Sequence, residues 1–246
     1  MPRKKVIAMN SPAQQGHHIV KAFSEELEQL SAAVATMGGL AESLISDAID
    51  AIVTRDSDLA LDVVERDKRI DALQRDIERQ IIRLLALRQP LAWDLRVCIA
   101  ALKITADLER IGDLAKNIAR RTRALNEAEP LPLAKSVERM GRLVQGHLHE
   151  VLDAYVSGEV AGAVGVWERD DDVDEHYNAL FRELLTCMAG DAQLIGPGTH
   201  LLFIAKNLER VGDHATNIAE LVHYAVTGTE LLAERPKGAF PDGPAS

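Results

Sequence analysis

The chain predicts an all-α protein built as two tandem antiparallel three-helix bundles, with six long helices arising from an internal duplication. Three observations carry this. Hydrophobic residues make up 47% of the 246 residues, aromatics only 4% and charged residues 27%. An apolar content dominated by Ala, Leu, Ile and Val with so many charges is helix-like. The chain also repeats itself, and the most repetitive stretch carries a strict 3–4 alternation of apolar residues. No convincing alternating strand pattern appears.

Self-comparison is the decisive step. Residues 102–120 read LKITADLERIGDLAKNIAR and residues 202–220 read LFIAKNLERVGDHATNIAE, with 11 of 19 positions identical at an offset of 100. Upstream, ERDKRID at 65–71 matches ERDDDVD at 168–174, at an offset of 103. Met37-Gly38 and Asp50-Ala51 map onto Met140-Gly141 and Asp153-Ala154 at the same offset. The order of matched segments is preserved, so this is a tandem duplication with a seam near Pro130-Leu131-Pro132. The expected units are 16–129 and 130–230. Residues 231–246, and most of the chain before Gln15, are expected to be disordered.

Each copy reads as three helices. The first spans about 18–55, with Leu27, Leu30, Val34, Met37, Leu44, Ile45 and Ile52 at helical spacing. Asp56-Ser57-Asp58 offers a turn and an N-cap. The second helix then runs from about 59 to 88, with Val63, Ile70, Ile77, Ile81 and Leu84 on its apolar face. Pro90 punctuates, and the third covers about 91–126. The second copy places helices at about 132–156, 159–189 and 197–226, with Gly196-Pro197-Gly198 as the last turn. In the third helix Val97, Ala101, Ile104, Leu108, Ile111, Ala115, Ile118, Thr122 and Leu125 form one stripe. Leu201, Ile204, Leu208, Val211, Ala215, Ile218, Val222 and Ala225 repeat it. Such stripes are bundle seams.

Charge excludes several function classes. With 28 Lys+Arg against 38 Asp+Glu the formal charge is −10. That disfavours nucleic acid, which needs a basic face, and an anionic membrane surface. It leaves metal cations and basic protein patches as natural partners. Cys98 and Cys187 stand alone, without a CxxC or a zinc spacing; two buried thiols in a reducing compartment fit best. The basic start Arg3-Lys4-Lys5 is not followed by a signal-type apolar segment, and no uninterrupted run of about 18 apolar residues occurs. A cytoplasmic protein without membrane insertion is expected.

One polar feature exceeds what packing requires. Glu109, Asp113 and Asn117 are spaced four and four, as are Glu209, Asp213 and Asn217. Each set lies on one helix face, roughly opposite the apolar seam and so outward from its own bundle. Like charges at this spacing repel, and mid-helix Gly112 and Gly212 each cost about 1 kcal/mol relative to Ala. A solvated face is the plain alternative, yet the stripe recurs in both halves. A divalent or ferric ion would turn the repulsion into attraction, since hard cations take carboxylate and amide oxygens. Asp67 and Asp71, with Asp170 and Asp174, add a second i,i+4 acidic pair per repeat on the flank of the second helix. Whether these pairs reach the stripe is not encoded in the spacing, and Arg110 and Arg210 are competing partners. Two metal sites, one per bundle, are expected, with a structural or regulatory role.

Other signals are weaker. A di-iron bundle needs Glu-x-x-His on two helices; Glu220 and His223 fit once, but Arg120 and Arg123 stand in the first copy. His17, His18, His147, His149, His176 and His200 lack zinc spacing and are expected at the surface or in caps. No phosphate-cradling Gly loop, GxSxG or HExxH occurs. Nothing pairs a nucleophile with a base, so a non-enzyme is expected. Leu95, Ile99, Leu102 and Ala106 extend the polar stripe as an apolar line, expected to meet the second bundle, a second copy or a partner.

The doubled LERIGDLAKNIA and LERVGDHATNIAE within duplicated three-helix units resembles the PhoU family, over roughly residues 20–230. The resemblance implies a cytoplasmic, often dimeric regulator of bacterial phosphate uptake that inhibits the phosphate-starvation response. It implies partners in the phosphate-transporter ATPase subunit and the sensor histidine kinase of the phosphate regulon. It also implies multinuclear metal clusters, which carry over to Glu109, Asp113 and Asn117 and to Glu209, Asp213 and Asn217. The copies depart from each other at Leu114 against His214 and Asp107 against Asn207, so a histidine ligand could enter only in the second. A metal-storing or metal-buffering helical protein is the alternative reading.

Overall fold

The computed structural model describes residues 12–130 and 133–231, with the backbone alone over 12–22. Of the stretches expected to be largely disordered, 1–11 and 232–246 lie outside the described residues, whereas 12–15 are helical. The helices are α1 (Pro12–Thr54), α2 (Ser57–Arg88), α3 (Trp93–Asn126), α4 (Ala134–Ser157), α5 (Val160–Glu168), α6 (Asp170–Gly190) and α7 (Ile195–Thr227). No strand occurs among the described residues. The all-α duplicated architecture is as the sequence predicts, with α5 and α6 together forming the middle helix of the second copy.

Local chemistry accounts for the boundaries. Asp56 caps α2, its carboxylate accepting from the Asp58 and Leu59 amides at 2.9 Å. The single helix expected over 159–189 breaks at Arg169, whose φ of −103° and ψ of 17° leave the helix. The Arg169 Nε donates to the Gly165 carbonyl at 2.8 Å, while Asp170, Asp171 and Asp172 favour a fresh N-terminus behind it. Gly196-Pro197-Gly198 is not the last turn. It opens α7, where proline is tolerated, and the turn is instead a short 3₁₀ segment, Ala192–Leu194, capped by Asp191.

The predicted seams are the core. Of the α3 stripe only Val97 remains part-exposed, and of the α7 stripe only Ala225. Phe23–Thr54 is long and apolar enough by length and composition to cross a bilayer. Its Leu30, Val34, Met37, Leu44, Ile45 and Ile49 are nevertheless fully inside the bundle. Cys98 is buried and Cys187 half-buried, both free. His147 departs from the surface placement expected of the histidines, with 2% of it exposed.

The two bundles join through equivalent helices: α3 packs on α7, and α1 on α4. The α1–α4 register is antiparallel, with Arg142 on Asp50 at 2.5 Å and His149 on Glu42 at 3.0 Å. Here the duplication becomes a two-fold contact. A Cβ on Gly38 would sit 2.6 Å from Leu152, and one on Gly141 would sit 2.8 Å from Ile49. Gly141 is Gly38 moved by 103 and Leu152 is Ile49 moved by 103, so the same close approach is made twice.

Candidate functional site

Helices α2 and α3 run antiparallel, and this brings the two acidic patterns of the first copy together. Lys116 donates to Asp67 Oδ2 at 2.6 Å and to Asp113 Oδ1 at 2.5 Å, tying the second helix's acidic pair to the third helix's stripe. Glu109 joins them. Burial, then the Asp113 charge, then those of Asp71 and Asp67, raise its carboxyl above the usual range, against a lowering by Arg110. Asp67 is raised too, chiefly by burial, which outweighs the Lys116 contact. Burial is also the largest influence on Lys116, yet its hydrogen bonds to Asp113 and Asp67 prevail and raise it.

The second copy assembles the same set. Burial, then Asp213 and Asp174, hold Glu209 high, against a hydrogen bond from Lys206. Lys206 donates to Glu209 at 2.6 Å, and Thr216 donates to Asp170 at 2.7 Å. The stripes are therefore only partly solvated. They are half-covered by the flanks of α2 and α6, and Glu209 keeps only 12% side-chain exposure. Asn117 is exposed, and Asn217 sits 3.5 Å from Asp107 of the other bundle.

Chemically, both sets suit a hard cation. The donors are carboxylate oxygens, and in each set one buried oxygen lacks a hydrogen-bond partner: Asp67 Oδ1 and Glu209 Oε2. Gly112 leaves a cradle beside the first, where a Cβ would lie 3.1 Å from that oxygen. Among the described residues no group of three His, Cys, Asp or Glu side chains stands ready as a metal cage. A bound ion would draw the carboxylates together rather than enter a finished site.

Several sequence expectations resolve differently. His214 is not aimed at the acidic set: its Nδ1 lies 2.8 Å from Asp107 Oδ1 on α3. The departures noted at positions 107 and 214 are thus partners, one polar bridge across the bundle seam. Mid-helix Gly112 and Gly212 have a packing role, since each lets the neighbouring helix approach: a Cβ would meet Ile70 and Val173 at 3.2 Å. Glu220 accepts from Trp167 Nε1 at 3.2 Å and His223 Nδ1 lies 3.0 Å from the Thr229 carbonyl, so the Glu-x-x-His pair is used structurally. The Leu95–Ala106 line is not the bundle seam, which uses Asp107 and the Arg121 guanidinium, 4.0 Å from the Phe203 ring centre. Leu95 and Ala106 are exposed, and Ile99 and Leu102 half-buried. Sequence reasoning missed Lys116, Lys206 and Thr216. The signal was present, because Lys116 and Thr216 occupy one position of the repeat.

Duplicated three-helix units with an acidic set on the flank of each define a tandem helical-bundle protein. The PhoU domain model matches twice, at residues 34–122 and 137–222, and the chain belongs to the PhoU family. It is 59% identical over 221 residues to the "Phosphate-specific transport system accessory protein PhoU homolog" of Caulobacter vibrioides, covering 89% of this chain and 96% of that one. The Rhizobium meliloti homologue of the same name is 47% identical, over 89% and 93%. The crystal structure of PhoU from Pseudomonas aeruginosa superposes with a TM-score of 0.82 at 41% identity, over 84% of this chain and 100% of that one. The regulatory protein PhoU of the Streptococcus pneumoniae phosphate transport system gives 0.79 at 31%, over 85% and 99%.

Proposed function

We propose that this chain is a non-catalytic cytoplasmic accessory protein of phosphate-specific transport that restrains the phosphate-starvation response. In this reading it couples the transporter's ATPase subunit to the regulon's sensor histidine kinase. The observation that supports the reading is 59% identity along 96% of a relative named as a phosphate-specific transport system accessory protein, with both acidic sets in place. A deletion strain grown in rich phosphate tests it. Starvation genes should be derepressed, and the tagged protein should co-purify with the ATPase or the kinase. Continued repression, with neither partner recovered, overturns it.

The acidic sets add a second element: each binds divalent or ferric ions, in a regulatory or structural role. The buried unpartnered Asp67 and Glu209 oxygens support this, and a bound ion would stabilise the fold by mass action. The donors are Asp67, Asp71, Glu109 and Asp113, then Asp170, Asp174, Glu209 and Asp213, with Asn117 and Asn217 at the margins. In the double variant Asp113→Ala/Asp213→Ala, bound metal should fall to a small residue and chelators should no longer lower the melting temperature. Unchanged metal content would return both sets to plain surface chemistry. A metal-storing role is the competing reading, and it predicts ion release without any effect on starvation genes. Self-association through the exposed Leu95 end of α3 completes the proposal. Leu95→Glu should shift sedimentation from dimer to monomer with helix content unchanged.

A further inference from the structure

Helix α3 runs antiparallel to α7, with Asp107 beside His214 and Arg121 over Phe203, so the end of α7 arrives at the start of α3. There Gly228 closes α7 in the left-handed region, with a φ of 76°. A Cβ on it would stand 3.0 Å from the Arg96 guanidinium carbon. The turn that follows is fastened. The Thr229 amide donates to Thr227 Oγ1 at 3.1 Å, and His223 Nδ1 lies 3.0 Å from the Thr229 carbonyl. Leu231 then packs against the core. The chain is thus delivered to an apolar face. Within three residues of Arg96, about 4.5 Å of helix rise, stand Trp93 and Leu95, with Leu91 in the turn before them. These three are 52%, 39% and 78% exposed, and exposed apolar patches mark contact surfaces. Beside them the Arg96 Nε is buried with no hydrogen-bond partner.

We propose that the tail segment 232–246 seats on this face of α3. Its residues match the face in kind. Leu232 and Phe240 are apolar anchors for Trp93 and Leu95, and Glu234 brings a carboxylate to the Arg96 fork. Arg235 and Lys237 bring cations, which the Trp93 ring face attracts. Fifteen residues, at about 3.3 Å each when extended, exceed the height of the face many times over. The other end of the chain is directed elsewhere. Glu26 pairs with Arg88 at the end of α2, and α1 reaches back to Pro12, about 21 Å of helix past that level. That carries residues 1–11 away from α3. Leu95 is also the self-association residue proposed above, so the tail has a regulatory consequence that rests on that reading. Seated, it covers the face; released, it opens the face to a second copy.

The test compares the full chain with one ending at Leu231, both diluted until monomeric in sedimentation. Trp93 reports the seat, because the other tryptophan, Trp167, is only 8% exposed and answers little to acrylamide. Truncation should red-shift the emission and raise acrylamide quenching, and Phe240→Ser in the full chain should do the same. A peptide of residues 232–246 should restore shielding to the truncated chain but not to its Leu95→Glu form. Ile195, the counterpart of Leu95 at an offset of 100, lies at the opposite end, so Ile195→Glu should leave capture of the peptide unchanged. At higher concentration the truncated chain should self-associate more strongly than the full one. If truncation lowers helix content, Phe240→Ser decides alone. Equal emission and quenching in the full, truncated and Phe240→Ser chains would overturn the seat. So would shielding that disappears on dilution in all of them, which assigns the face to a second copy. A tail effect on Trp93 with unchanged self-association would uphold the seat and overturn only the self-association reading.

Discussion

At the scale of single residues, two positions show one copy departing from its twin under tertiary demand. Arg55 has a φ of 58°, a left-handed conformation that costs a non-glycine residue about 1–2 kcal/mol. Its counterpart at an offset of 103 is Gly158, φ 71°, where no such cost arises. Arg55 is kept because its guanidinium donates to the Asn126 and Ala128 carbonyls at 2.9 and 2.6 Å, fastening the inter-bundle linker. Charged hydrogen bonds of that kind contribute about 1.5–3 kcal/mol each. Arg55→Gly should therefore lower stability on balance, and cleavage after Glu127 or Glu129 by a glutamate-specific protease should quicken. His147 is the second case, a histidine where the first copy has Leu44. It is buried, its Nε2 has no partner, and burial, then the Arg169 charge, push its pKa below the ordinary value, against Asp172, Glu150 and Asp170. As pH falls through about 6.5, the unfolded chain takes a proton that the folded chain refuses, so stability is lost. His147→Leu should stabilise by about 1–2 kcal/mol. The gain in melting temperature should be larger at about pH 5.5 than at about pH 7.5.

At the scale of elements, the middle helix of the second copy is the informative failure of pattern reading. Its apolar spacing alone reads as one helix, and α5 and α6 do occupy that span. The break at Arg169 comes from a side chain that competes for the Gly165 carbonyl and also reaches Glu150 at 2.5 Å. Gly162 and Gly165 weaken α5 from within, since glycine in a helix costs about 0.5–1 kcal/mol relative to alanine. A Cβ at Gly165 would find only ordinary contacts, at 3.6 Å from Glu150 and 3.7 Å from Arg169. Gly165→Ala should therefore stabilise the protein by about 0.5–1 kcal/mol, seen as a higher denaturation midpoint at unchanged slope. Gly141 is the opposite kind of glycine, and the same substitution there should have the opposite sign.

That contrast belongs to the whole molecule, because Gly141 and Gly38 lie where the two bundles touch. The close approach of α4 to Ile49 and of α1 to Leu152 sets the spacing of the bundles on one side. The α3–α7 contacts, His214 with Asp107 and Arg121 over Phe203, set it on the other. Gly141→Ala should destabilise by about 1–3 kcal/mol through overpacking. The cost should shrink on an Ile49→Ala background, since contacting residues couple. Equal costs on both backgrounds, read from urea unfolding, would show that Ile49 is not what the new methyl meets.

The sequence by itself determined the class, the duplication, the seam of each third helix and the α2 cap. Those features rest on periodicity and local hydrogen bonding, both written in residues close together along the chain. It also marked every carboxylate of the two acidic sets. That Asp67 and Asp71 join Glu109 and Asp113 is a matter of how α2 and α3 align. That alignment is fixed by long-range packing around Gly112 and Ile70, which no local pattern encodes. The same holds for His214. In sequence it is an odd residue in a metal-like motif, and only the packing of α3 on α7 shows that it answers Asp107. Position 116/216 lies between these cases. The exchange of Lys for Thr is plain in the repeat, but its meaning depends on a buried carboxylate 49 residues away, brought within 2.6 Å by the fold.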